Sequence, residues 1–118
     1  MKYLCLIYDA ESTLGAMPKD EMDTFMSDYF AFSDSIAKSG HMIVGEALEP
    51  VHTATTVRIR NGKVTTTDGP FAETKEQLGG FYLVEARDLN EAIQIAARIP
   101  SARTGSIEVR PITVFSPK

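Results

Sequence analysis

Apolar and polar positions change period several times along the chain, and each change marks an element. Residues 3–8, YLCLIY, are a short apolar run ended by Asp9, a length that suits a strand better than a helix. Loop residues are expected from there to Met17. Met22, Phe25, Met26, Tyr29, Phe32 and Ile36 then recur at helical spacing. Pro18 suits a first helical position, Asp20 and Glu21 fall where the helix dipole favours acids, and Gly40 is a good stop. This predicts a helix over about 18–39, its aromatic and Met stripe packed into the core.

HMIVGEAL, residues 41–48, predicts a second strand, closed by Pro50. Further on, Asn61-Gly62 separates two β-prone runs, the sequence signal of a hairpin with a type I′ turn. A two-residue loop sets Ile59 opposite Val64, Val57 opposite Thr66, and Asp68 opposite Thr55 at the open end. FYLVEA, 81–86, is another apolar strand. Asp88 with Glu91 makes a capping box, and Leu89, Ala92, Ile93 and Ala96 are the expected inner face of a helix ending before Pro100. A last strand is expected over about 106–115. Pro111 can donate no ladder bond, which assigns that strand to a sheet edge or a bulge.

The order is β-α-β, a hairpin insertion, then β-α-β. Without the insertion it is the ferredoxin-like α+β plan, one antiparallel sheet with the first and third framework strands central. The chain of 118 residues is expected to form a single domain over 1–118. Tyr3, Cys5 and Ile7 alternate with Leu4, Leu6 and Tyr8, so the first strand is apolar on both faces. Two helices cover one face only. The other calls for a second copy of the sheet, hence a two-fold homodimer.

Composition narrows the partners. With 43% apolar and 24% charged residues the chain has a globular profile, and a net charge of -4 with scattered Lys and Arg argues against nucleic acid or an anionic membrane. The apolar run at the N-terminus is too short for a signal peptide, and no segment reaches the roughly 20 apolar residues of a membrane span. A cytoplasmic location is expected. The single Cys5, inside an apolar run, reads as an inert core thiol. Two distant histidines make no zinc site, and no dinucleotide or phosphate-binding motif occurs, so no cofactor is expected.

The densest local specification is DGPFAETKEQLGG, 68–80. A turn accounts for part of it, since Asp bonds its own backbone, Gly permits positive φ and Pro fixes φ. The alternative is a pocket rim, with Asp68 as acid or base, Phe71 as an apolar wall and Gly79-Gly80 letting backbone approach a ligand. His41 and Glu46, five apart, point to opposite faces of a regular strand, unless a bulge near Gly45 shifts the register.

DGPFAETKE, the following GGF, MKYLCLIY and IEVRPI together resemble the DGPF-type branch of the YCII-related proteins. The resemblance spans nearly the whole chain. It implies a dimeric α+β barrel and gives less on function, because the family's activity is largely unassigned. It also implies a His/Asp pair, for which His41 and Asp68 are the available members, with the imidazole as the proton-transfer group. Tyr8, Glu46, Pro70, Phe71, Glu73 and Lys75 complete the candidate substrate-binding set. Two functions stay open: a small-molecule-binding protein or cofactor-free enzyme doing proton transfer, and a non-catalytic dimeric module. The second draws on DGPF relatives associated with sigma factors of the extracytoplasmic-function type.

Overall fold

A computed structural model describes residues 1–116. Strand β1 (Lys2–Asp9) leads through a single-turn helix α1 (Glu11–Gly15) into α2 (Lys19–Lys38), which returns the chain to β2 (Met42–Ala47). A short 3-10 turn at Val51–Thr53 precedes the hairpin β3 (Thr55–Arg60) and β4 (Lys63–Asp68). Strand β5 (Gln77–Glu85), helices α3 (Leu89–Ala97) and α4 (Ser101–Thr104), and β6 (Ser106–Pro111) complete the fold.

The four framework strands form one antiparallel sheet in the order β2-β5-β1-β6, and the hairpin is a separate two-stranded sheet. The most apolar strands are central and the Pro-containing one is at an edge, as the ferredoxin-like plan requires. Tyr3, Cys5 and Ile7 from β1 and Tyr82 and Val84 from β5 meet Phe32 and Ile36 of α2 and Ala92, Ile95, Ala96 and Ile99 beneath. Phe32 and Tyr82 pack edge to face at 5.1 Å, and Arg98 lies over the Phe32 ring. Burial alone pushes the Cys5 thiol up to about 11.

On the opposite face Leu4 stands beside Leu83, and Leu83 beside Val44, while Leu6 stands beside Phe81. These side chains are only partly covered or exposed. Among the described residues, no helix is long and apolar enough to cross a membrane.

The hairpin has the expected register, Ile59 with Val64, Val57 with Thr66 and Thr55 with Asp68. Asn61 and Gly62 have φ of 51° and 73°, the two positive values of a type I′ turn. The arm stands off the body. The chain's radius of gyration is 16.6 Å, against roughly 13–14 Å for a compact chain of this length.

Four expectations need correction. Residues 11–15 are helical rather than loop. Ala10 gives α1 no side-chain cap, and the turn is held from outside by the Gln77 side chain, which accepts from the Glu11 amide at 2.8 Å. The buried stripe of α3 is Ala92, Ile95 and Ala96, continuing to Ile99, while Leu89 and Ile93 face solvent. Asp88 caps α3 by accepting from the Glu91 amide, but the Glu91 carboxylate closes back on the Arg87 amide instead of Asp88's. Finally, Pro111 ends β6 rather than interrupting it, and Val114 and Phe115 lie exposed beyond the strand.

Candidate functional site

A cleft of about 650 Å³ opens between the helix-covered face of the sheet and helices α1 and α2. Its walls are set by local sequence. Alternation along β1 points Tyr3, Cys5, Ile7 and Asp9 the same way, so Ile7 and Asp9 form the floor. The stripe of α2 supplies Phe25, Met26, Tyr29, Phe30 and Ser33, and α1 adds Glu11 and Leu14. Gly45, Glu46 and Ala47 of β2 and Gln77, Gly79, Gly80 and Tyr82 of β5 close the far side. A Cβ at Gly80 would lie 2.7 Å from the Glu46 carbonyl oxygen, so only glycine lets these strands approach so closely here.

Asp9 is the most unusual residue of the floor. It is only 5% exposed, one of two buried polar side chains among the described residues. Thr104 donates to its Oδ1 at 2.7 Å. Among the described residues nothing donates to Oδ2, yet Oδ2 is not sealed from solvent. Asp9 is itself a lining residue of the cleft. A carboxylate so placed is a hydrogen-bond acceptor with a vacant oxygen in an apolar setting.

Two hydroxyl pairs also line the cleft. The Tyr29 hydroxyl donates to Ser101 Oγ, and Ser33 Oγ and the Tyr82 hydroxyl are 2.6 Å apart. Burial pushes the Tyr29 phenol above its ordinary value; the bonds to Ser101 pull the other way, and the nearby charge of Asp9 pushes it further up. Tyr29 is thus a protonated donor at neutral pH. Glu11 ties the mouth together: its Oε2 accepts from the Val51 amide at 3.0 Å while its own amide bonds Gln77.

The protomer does not bring His41 and Asp68 together. His41 Nδ1 lies 2.6 Å from Ser39 Oγ and its Nε2 3.5 Å from a Glu91 oxygen, outside the cleft. Asp68 is exposed at the base of the arm, opposite Thr55, and forms no ion pair among the described residues. The loop after it is fixed by backbone: Gly69, φ 108°, donates to the Ala54 carbonyl at 2.7 Å, and its own carbonyl accepts from Thr56 Oγ1. Pro70 is half-buried, Phe71 is 80% exposed, and Glu73 and Lys75 face solvent. Tyr8 lies on the sheet's other face with its hydroxyl 3.5 Å from Glu108. Glu46 does line the cleft. A bulge in β2 between Met42 and Val44 shifts the register there.

Asp9, Tyr29, Ser33, Tyr82 and Ser101 are absent from the set proposed from sequence. The signal for Asp9 was present: it continues the inward positions 3, 5 and 7, and a carboxylate at an inward position is the informative kind of exception. No signal in the sequence places Ser101 beside Tyr29, since that contact spans 72 residues.

This architecture is an α+β fold of the barrel-forming, ferredoxin-like kind, with its polar groups gathered at the end of the first strand. The chain belongs to the YCII-related domain family, whose model matches residues 1–116. It is 40% identical over 119 residues to an uncharacterised protein of Rhizobium meliloti (strain 1021), covering 99% of this chain and 96% of that one. Its fold is shared by a 5-chloro-2-hydroxyhydroquinone dehydrochlorinase from Burkholderia phenoliruptrix, solved in complex with 2,5-dihydroxybenzoquinone. That match has a TM-score of 0.54 at 16% identity and covers 96% of this chain and 94% of that one.

Proposed function

We propose that the cleft binds a small, largely apolar or aromatic molecule and that Asp9 serves there as proton acceptor, without an organic cofactor. The observation that carries this is the vacant Oδ2 of a buried carboxylate at the floor of a mostly apolar cleft. The volume suits a small ring, and the protonated Tyr29 and the Ser33–Tyr82 pair offer donors and acceptors to orient it. The fold of a hydroxyhydroquinone dehydrochlorinase, solved with a benzoquinone, is compatible with the same class of ligand. Glu46 belongs to this site as a wall residue. His41 and Asp68 would act only if a second chain completed them.

The test is an NMR titration with small hydroxylated aromatics, hydroquinone and catechol among them. Shifts centred on Asp9, Tyr29 and Tyr82 are expected at about millimolar ligand or below, weakened in Asp9→Asn while the far-UV spectrum stays the same. No perturbation of those residues across the set would sink the proposal. It would favour the alternative, a non-catalytic module engaging a regulatory protein of the sigma-factor type. That module would use the arm, which is apolar on one face through Val57, Ile59 and Val64 and basic on the other through Arg58, Arg60 and Lys63.

The partly covered sheet face of Leu4, Leu6, Val44, Phe81 and Leu83 supports a homodimer closed on that face. Sedimentation at about micromolar concentration, the range of a modest interface, should give twice the chain mass. A well-behaved monomer would rule out that assembly.

A further inference from the structure

The cleft's charge is one-sided. Asp9, Glu11 and Glu46 line it, and among the described residues no Lys, Arg or His does. One oxygen of Glu11 is engaged by the Val51 amide, and one of Asp9 by Thr104. The other Asp9 oxygen has no donor among the described residues, in a cleft-lining residue that is only 5% exposed. The carboxylates of Asp9 and Glu11 beside mostly apolar walls concentrate negative potential in the cleft, because low-dielectric walls focus field lines. An anion entering would lose its hydration and meet only like charge. A cation would find the acceptor Asp9 and the aromatic residues Tyr29 and Phe30 among the residues that line the cleft.

We propose that the ligand of this cleft carries a positively charged nitrogen: a small aromatic amine in its protonated form, the ammonium on Asp9 Oδ2 and the ring against the α2 aromatics. This rests on the cleft being the ligand site and adds the charge class of what enters. The acidic residues of the cleft do not serve a metal instead, since no grouping of His, Cys, Asp and Glu among the described residues converges as a metal site would.

Three probes of one shape and different charge test it: 2-phenylethylamine, 2-phenylethanol and 3-phenylpropanoate, titrated calorimetrically and by NMR at low salt. The amine is expected to bind at least tenfold more tightly than the alcohol, and the carboxylate more weakly than either. Added salt should erode the amine's advantage and leave the alcohol's affinity unchanged. Asp9→Asn retains an oxygen for Thr104 to bond and should bring the amine down to the alcohol's affinity. Carboxylate or alcohol binding as tightly as the amine would overturn the charge inference while leaving the cleft as a ligand site. Binding of none of the three, nor of hydroquinone, would remove the cleft and the inference together.

Discussion

The body and the arm of this protein obey different rules. In the body, side chains from β1, β5, α2 and α3 enclose one another, and Cys5, Ile36, Val84 and Ile99 are fully buried. In the arm, Val57, Ile59 and Val64 are 62–66% exposed and only cross-strand pairing holds the two strands in register. The most distinctive motif of the sequence lies at the foot of the arm, whereas the polar groups suited to chemistry lie in the body. Local specification and chemical capability are therefore separate properties. A run such as Asp68-Gly69-Pro70 is rich in turn-forming residues because a chain leaving a free hairpin must be turned by its own backbone. The body can turn its chain with contacts brought from far away.

The contrast breaks most sharply under truncation. Ile36→Ala should cost about 2–5 kcal/mol, the range for emptying a packed core site. Ile59→Ala should stay within about 0.5 kcal/mol, as exposed sites do. Paired denaturant titrations decide, and a loss for Ile59→Ala approaching that of Ile36→Ala would mean the arm is covered in solution.

A smaller effect is expected at the turn. Gly62→Val forces a β-branched residue to φ 73° and should cost about 1–3 kcal/mol. Because the arm is separately paired, the cost should show as faster amide exchange across 55–68 with β1 and α2 protected as before. Uniform loss of protection would show that arm and body unfold as one unit.

The smallest effects concern His41. Since its ring lies beside Ser39 and Glu91, Asp68→Asn should leave its ring NMR signals in place, and their displacement would restore the His41–Asp68 pair. Glu91 itself is held below the usual carboxylate range, first by the Arg87 amide and then by the charges of Arg87 and His41. A depressed folded value stabilises the protein above the unfolded value of about 4.3, and that contribution fades as pH falls through the folded value. Wild type and Glu91→Gln should therefore differ in stability at pH 7 and converge in acid.

How much was legible follows the same division. The arm's register, the turn at Asn61-Gly62 and the span of α2 could be read because each rests on neighbours a few residues apart. The placement of β1 and β5 at the centre could be read because both are apolar on each face. Helix α1 could not, since it depends on Gln77, 66 residues away. The floor of the cleft was half legible. Alternation places Asp9 inward, but Thr104 reaches it, and Ser101 and Tyr82 join it in the cleft, only once the sheet has assembled.

The free-standing arm also leaves a calorimetric trace. Heat capacity rises on unfolding in proportion to apolar surface newly wetted, about 1.4–1.8 kcal/mol/K for a chain of this length. Val57, Ile59 and Val64 are already wet in the folded protomer, so melting the arm adds little to that increment. The isolated protomer should fall short of the value for its size and carry a flatter stability curve, less bowed towards cold than that of an equally long chain with everything tucked in.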